Sequence, residues 1–142
     1  MIEIQQLNKI TQETATIFAD LMSQLTPNRK MLKMEDLQRI IDNENIYVFV
    51  ACNPTIVGTL TLALVPTPSG TKAWIEDVVV DSAARNQGVG RLLVEHAIRV
   101  GRELDISSIN LTSVPERIAA NKLYREIGFV FRETNVYRLT IK

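Results

Sequence analysis

The sequence predicts one α/β domain over residues 1–142, with about seven strands and four helices. Three observations predict it. Between Ile46 and Val80 lie three runs rich in β-branched residues, separated by short turn signals, which is the pattern of successive hairpins. A strand then passes through a glycine-containing loop into a long amphipathic helix, Gly88 to Leu104. Finally, no linker, repeat or low-complexity segment divides the chain.

Element by element, Ile2 and Ile4 alternate with polar residues and read as a short strand. From Thr11 to Leu25 the apolar residues Ala15, Phe18, Met22 and Leu25 recur at spacings of three and four, a helical stripe that Pro27 ends. Met34 to Asn43, carrying Leu37, Ile40 and Ile41, predicts a shorter helix. Ile46 to Cys52 and Ile56 to Val65 are strands joined at Asn53-Pro54-Thr55. Pro66 to Gly70 turns into a further strand, Ala73 to Val80. In the helix from Gly88, one face carries Leu93, Ala97, Val100 and Leu104. Ser108 to Val114 is a strand, and Arg117 to Ile127 a helix that Gly128 stops. Phe129 to Glu133 and Val136 to Ile141 are expected to close the chain as two strands around Thr134-Asn135. The order is β-α-α-β-β-β-α-β-α-β-β.

Composition removes several functions. Sixteen basic residues balance sixteen acidic ones, whereas nucleic-acid binders usually carry a basic excess. No apolar run is long enough to span a membrane, and the N-terminus lacks the marks of a signal peptide. The single cysteine, Cys52, lies in an apolar run and is expected to be a small buried hydrophobe; a lone cysteine fits a cytoplasmic location. His96, the only histidine, lies mid-helix as a surface or packing residue and cannot make a zinc site alone, so no metal is expected.

The chemistry concentrates after the strand Ala73 to Val80. There Arg85-Asn86-Gln87-Gly88-Val89-Gly90-Arg91 leads directly into a helix. Glycines at a helix start remove Cβ atoms where backbone N–H groups are free, so a phosphate can approach the amides. The helix dipole and Arg85 and Arg91 favour its charge. The spacing is neither the dinucleotide fingerprint nor a P-loop.

Arg-x-x-Gly-x-Gly after an apolar strand resembles the pyrophosphate-binding signature of the GNAT superfamily of N-acetyltransferases. Asn121-Lys122-Leu123-Tyr124, followed by Gly128-Phe129, is similar to a later helix of that family. The element order is similar too, so the resemblance covers nearly the whole chain. It implies a mixed, mostly antiparallel sheet whose two central parallel strands, Trp74 to Val80 and Ser108 to Val114, splay apart around the pantetheine arm of acetyl-CoA. By that resemblance Val78, Val79 and Val80 face the pantetheine, and the Val78 amide donates to the thioester carbonyl. The amides of Asn86, Gln87, Gly88, Val89, Gly90 and Arg91 hold the pyrophosphate beside Arg85. Tyr124 protonates the departing thiolate, and Asn121 holds the cosubstrate or a water.

A protonated amine acceptor must lose a proton before it attacks. Glu76, in phase with Trp74 and Val78, is the candidate base; Asp77 points to the other face unless a bulge intervenes. A salt bridge or an exposed edge is the alternative for each carboxylate. Pro27 to Lys33 is basic and could wall the acceptor site, as could Arg132, Asn135, Tyr137 and Arg138. The acceptor is left open between a small amine, an aminosugar and a protein amine. The run Trp74-Ile75-Glu76-Asp77 is similar to that of aminosugar-phosphate acetyltransferases. The expected protein is thus a cytoplasmic N-acetyltransferase working by direct attack in a ternary complex, its oligomeric state left open between a monomer and a homodimer. Two other readings stand beside it. A CoA-binding module without catalysis would share the fold, but retention of Tyr124 favours an enzyme. A doubly wound nucleotide-binding protein is disfavoured by the hairpins before Val80.

Overall fold

Alternating side chains in three consecutive strands build a sheet with two different faces, and this sheet positions the candidate site. The computed structural model describes residues 1–27 and 32–142. The chain divides into two compact units, Met1–Thr112 and Ser113–Lys142.

In the first unit the elements run β1 (Glu3–Gln6), α1 (Gln12–Leu25), α2 (Met34–Ile41), β2 (Ile46–Cys52), β3 (Ile56–Thr67), β4 (Gly70–Val80), a 3₁₀ turn (Ser82–Ala84), α3 (Val89–Glu103) and β5 (Ile109–Asn110). The sheet order is β1-β2-β3-β4-β5. The first three pairings are antiparallel and β4–β5 is parallel, giving the mixed, mostly antiparallel sheet that was expected. Thr11 caps α1 by accepting from the Thr14 N–H at 3.1 Å.

Val48 pairs with Thr61 and Val50 with Thr59, so these four share one face. Val48, Val50 and Val79 pack there with Phe18, Leu21 and Met22 of α1 and Leu37 of α2. On the opposite face Phe49, Ala51, Leu60, Leu62, Ala73 and Ile75 are buried. That is the side of α3, whose Val89 and Leu93 lie against Gly58. His96 of α3 meets the Phe49 ring edge-on at 4.6 Å, as a packing residue would. Burial and the nearby Arg99 lower its pKa, while Glu103 acts against them.

The β3–β4 hairpin is longer than its sequence suggests: Pro66 pairs with Thr71 and Thr67 with Gly70, leaving a tight two-residue turn. Cys52 is only half-buried, at the end of β2 beside Glu3; burial first, and the Glu3 charge second, raise its thiol pKa. No described helix is long and apolar enough to cross a membrane.

The second unit holds α4 (Ile118–Ile127). Gly128, at φ 126°, ends it, and the N–H groups of Gly128 and Phe129 both donate to the Tyr124 carbonyl at 3.2 and 2.9 Å. Two expectations fail here. The described residues form five strands, not seven, because residues 129–142 make no sheet pairing. The strand expected over Ser108 to Val114 is confined to Ile109–Asn110. Strand propensity without a hydrogen-bonded neighbour does not make a strand.

Candidate active site

The approach to α3 is held from α1. Gln24 donates through Nε2 to Asp81 Oδ1 at 3.2 Å and accepts the Ser82 N–H at 3.0 Å, while the Asp81 N–H donates to the Val57 carbonyl at 2.8 Å. These bonds tie the exit of β4 to the sheet and to α1. The chain then crosses into left-handed backbone at Asn86 (φ 63°) and Gly88 (φ 78°), a conformation that glycine adopts freely and asparagine tolerates. Gly88 is the N-cap of α3 and no side chain caps the helix. The first helical bond runs from the Leu92 N–H to the Gly88 carbonyl at 3.1 Å, so the amides of Val89 and Gly90 precede the intrahelical ladder. A Cβ built on Gly88 would meet nothing within 4 Å. Uncapped donors beside open space fit a diphosphate. Arg85 is exposed next to them, and Arg91 pairs with Glu95 at 3.4 Å on the helix surface.

On the far side of this loop, β4 has an open edge. Its parallel pairing with β5 is confined to Ala73–Ile109 and Trp74–Asn110. From Ile75 to Val80 the β5-facing edge has no ladder partner among the described residues. An edge of free main-chain donors and acceptors, here including Val78, Val79 and Val80, suits an amide-containing arm laid beside it.

β4 also carries an irregularity that decides where its carboxylates point. Thr61 pairs with Glu76 but Thr59 pairs with Val79, so Asp77 and Val78 together oppose the single residue Leu60. This is a β-bulge, with Asp77 at φ 49°. Glu76, paired with Thr61, lies on the α1–α2 face. Beyond the bulge Val79, rather than Val78, returns to that face and joins its core. Asp77 does not turn away as regular alternation would require. With Thr59, Thr61 and Val48 of the sheet, Phe18 and Met22 of α1, and Leu37 and Ile40 of α2, it lines a cavity of about 110 Å³. Burial first, and the Asp77 charge second, raise the pKa of Glu76. No ion pair holds either carboxylate among the described residues.

In the second unit, Asn121 and Tyr124 lie three residues apart on α4 and so share a face. Burial raises the Tyr124 pKa, against a smaller lowering by Arg117; the phenol therefore holds its proton at neutral pH and remains a donor. Its ring meets Phe129 edge-on at 5.9 Å. Asn121 is already engaged: its amide nitrogen donates to the carbonyls of Val114 at 2.9 Å and Arg117 at 2.8 Å. Both of its N–H donors are thus spent on the approach to α4, leaving only the acceptor oxygen for a ligand. Ser113, which sequence reasoning passed over, has a buried hydroxyl with no hydrogen-bond partner.

The structure thus brings Glu76, Asp77, Val78 to Val80 and the 85–91 loop into one unit, with Asn121 and Tyr124 in the other. Of the basic stretch Pro27 to Lys33, residues 28–31 lie outside the described residues. Arg132, Asn135, Tyr137 and Arg138 are exposed. Among the described residues no cluster of His, Cys, Asp or Glu could hold a metal.

The model of the acetyltransferase (GNAT) family matches residues 12–129. The chain belongs to the GNAT family. As a member it is an acetyl-CoA-dependent acetyltransferase. It is similar to the uncharacterized N-acetyltransferase YhdJ of Bacillus subtilis, with 25% identity over 97% of this chain and 98% of that protein. A putative acetyltransferase from Agrobacterium tumefaciens superposes with a TM-score of 0.82 at 25% identity, over 97% of this chain and 99% of the other. A structure described as a transcriptional regulator from Bacillus halodurans superposes with a TM-score of 0.81 at 27% identity, over 99% of this chain and all of the other.

Proposed function

We propose that this chain transfers the acetyl group of acetyl-CoA to the primary amine of a small acceptor by direct attack in a ternary complex, its two units acting as one catalytic domain. The observation that carries the proposal is the β4 bulge. It directs Glu76 and Asp77 toward the cavity face of a strand whose other free feature is its open edge.

The backbone amides at the start of α3 hold the pyrophosphate, with Arg85 and Arg91 adding charge. The Val78 amide donates to the thioester oxygen as negative charge develops there. The acceptor enters as an ammonium, which the two carboxylates attract. Glu76, or Asp77 beside it, takes the proton directly or through water. A carboxyl with a raised pKa is a better match for this task near neutral pH than an ordinary one. The neutral nitrogen attacks the thioester carbon, the tetrahedral intermediate collapses, the C–S bond breaks, and Tyr124 gives its proton to the thiolate.

The cavity narrows the acceptor. Its walls are mostly aliphatic and aromatic, and its 110 Å³ is below the ~150 Å³ of a cavity that takes benzene. A short apolar group on an amine fits these walls; a hydroxylated sugar ring would lose hydrogen bonds to water there. This favours a small apolar amine over an aminosugar.

The pH–rate profiles of Glu76→Gln and Asp77→Asn test the base assignment. Replacing the operative base should lower turnover at neutral pH, with the loss shrinking as pH approaches the amine's own pKa. Wild-type profiles in both variants would remove these carboxylates from the reaction.

A further inference from the structure

The loop that leads into α3 is exposed at Arg85, Asn86, Gln87 and Gly88, and Asn86 and Gly88 take left-handed backbone. Exposed side chains bury nothing that would fix such a loop, so its position is set at its two ends. At the far end Val89 is buried, its Cγ1 only 3.1 Å from where a Cβ on Gly58 would stand. At the near end the 3₁₀ turn Ser82–Ala84 starts from Asp81. There the Ala84 N–H donates to the Asp81 carbonyl at 2.8 Å, and the Ala84 side chain is buried. The Asp81 N–H is bound to Val57 of β3. The Asp81 carboxylate and the Ser82 main chain are both gripped by a single residue of α1, Gln24.

We propose that Gln24 is a positioning residue for acetyl-CoA: through Asp81 and Ser82 it sets the place of the 85–88 loop, and hence of the α3 amides that receive the diphosphate. The proposal rests on the reading that puts the diphosphate at the start of α3.

The Gln24 amide is fully engaged. One N–H of Nε2 goes to Asp81 Oδ1 at 3.2 Å, and Oε1 accepts the Ser82 N–H at 3.0 Å. The other N–H goes to Asp20 Oδ2 at 3.0 Å, one turn back on the same helix, which fixes the orientation of the amide. An amide is the group this geometry needs, a donor on one side and an acceptor on the other. A carboxylate in its place would meet Asp20 and Asp81 with like charge, and asparagine is one methylene shorter. The two contacts fall on consecutive residues, one on a side chain and one on the main chain, so they set the direction of the chain as well as its place. The bond to Asp81 is part-buried, where a charge-assisted hydrogen bond keeps more of its strength. The helix itself does not depend on these bonds: Phe18, Leu21 and Met22 already hold α1 in the core. The exposed loop is the dependent partner. One helix therefore lines the cavity with Phe18 and Met22 and, two residues later, holds the approach to the diphosphate.

Calorimetry with acetyl-CoA, beside an NMR titration with S-acetylpantetheine, which lacks the diphosphate, tests the assignment on the full chain. Gln24→Met keeps the length of the side chain and removes its hydrogen bonds. It should weaken acetyl-CoA about tenfold, the effect of one or two hydrogen bonds, and leave S-acetylpantetheine affinity unchanged. Asp81→Asn retains an acceptor for Nε2 and should bind acetyl-CoA as the wild type does, whereas Asp81→Ala should bind it more weakly. Gln24→Met/Asp81→Ala should be no weaker than Gln24→Met alone, because both substitutions break the same link. If Gln24→Met fails to fold, the two Asp81 variants make the same comparison from the other end of the bond. An equal loss for both ligands marks a residue that only supports the fold and overturns the proposal. Gly88→Ala is the reference. Wild-type affinity for acetyl-CoA in Gln24→Met, with affinity lost in Gly88→Ala, overturns the role of Gln24 alone. Wild-type affinity in both overturns the placement of the diphosphate and this proposal with it.

Discussion

Gly88→Ala separates what this glycine does for the fold from what it does for CoA. Its φ of 78° costs an alanine about 1–3 kcal/mol of backbone strain. The added methyl itself meets nothing within 4 Å, so strain is the whole of the expected folding cost. For a chain of 142 residues, about 2 kcal/mol corresponds to a fall in Tm of roughly 6–10 °C. Gly70 in the β3–β4 turn is the control: it too has a positive φ, 125°, and open space around its Cβ position. Its alanine variant should lose stability in a similar way. The two variants part when ligand is added. Acetyl-CoA at one hundred times its Kd should stabilise the wild type by about 2.7 kcal/mol, a rise of about 10 °C. Gly70→Ala should keep that rise. Gly88→Ala should lose more than half of it, because the methyl fills the space through which the phosphates reach the α3 amides. Differential scanning calorimetry of the three proteins with and without acetyl-CoA reads both effects. An equal ligand-induced rise in all three would refute the placement of the pyrophosphate at this loop.

Tyr124→Phe keeps the edge-on contact with Phe129 and removes only the hydroxyl, so the melting temperature should hold while turnover falls by ~10²-fold or more. Unchanged turnover with chemistry rate-limiting would leave Tyr124 as a packing residue. Glu76→Gln should not destabilise the protein at neutral pH, because Glu76 has no ion pair among the described residues and its pKa is raised by burial and by Asp77. The sign follows from linkage: a carboxyl raised in the folded state contributes fully below its unfolded pKa of ~4.3 and loses that contribution as pH rises through the folded value. The variant should therefore match the wild type in acid and exceed it in Tm above that range. A variant less stable than the wild type at neutral pH would mean that Glu76 has a cationic partner.

The hairpins and the helix from Val89 were legible because their residue types and spacing agree with their surroundings. The β-branched runs over β2 and β3 alternate between two buried faces, and Gly88 and Gly90 mark the start of α3. The bulge was not legible. A run of three valines after Asp77 carries no polar position to mark phase, so a slip of one residue leaves the pattern unchanged, and the side to which Asp77 points is decided by the register with β3. The cavity was equally hidden, since it arises from Phe18, Leu37 and Thr61 meeting across elements far apart in sequence. Asn121 was visible as a site residue, but its two N–H bonds to backbone carbonyls depend on the turn before α4. The C-terminal segments had strand composition, yet a strand is a property of a pair, and their partner cannot be read from their own residues.

Acetyl transfer to an amine is tested most directly by incubating the full chain with acetyl-CoA and a panel of primary amines. Released CoA thiol and acetylated product are followed together. Thiol should appear in equal amount with an N-acetylated product, fastest for small amines bearing a short apolar group and slowest for aminosugars. Binding of acetyl-CoA with no transfer to any amine across the pH range would contradict catalysis and leave a CoA-binding module. Fastest transfer to an aminosugar would contradict the role assigned to the Asp77 cavity.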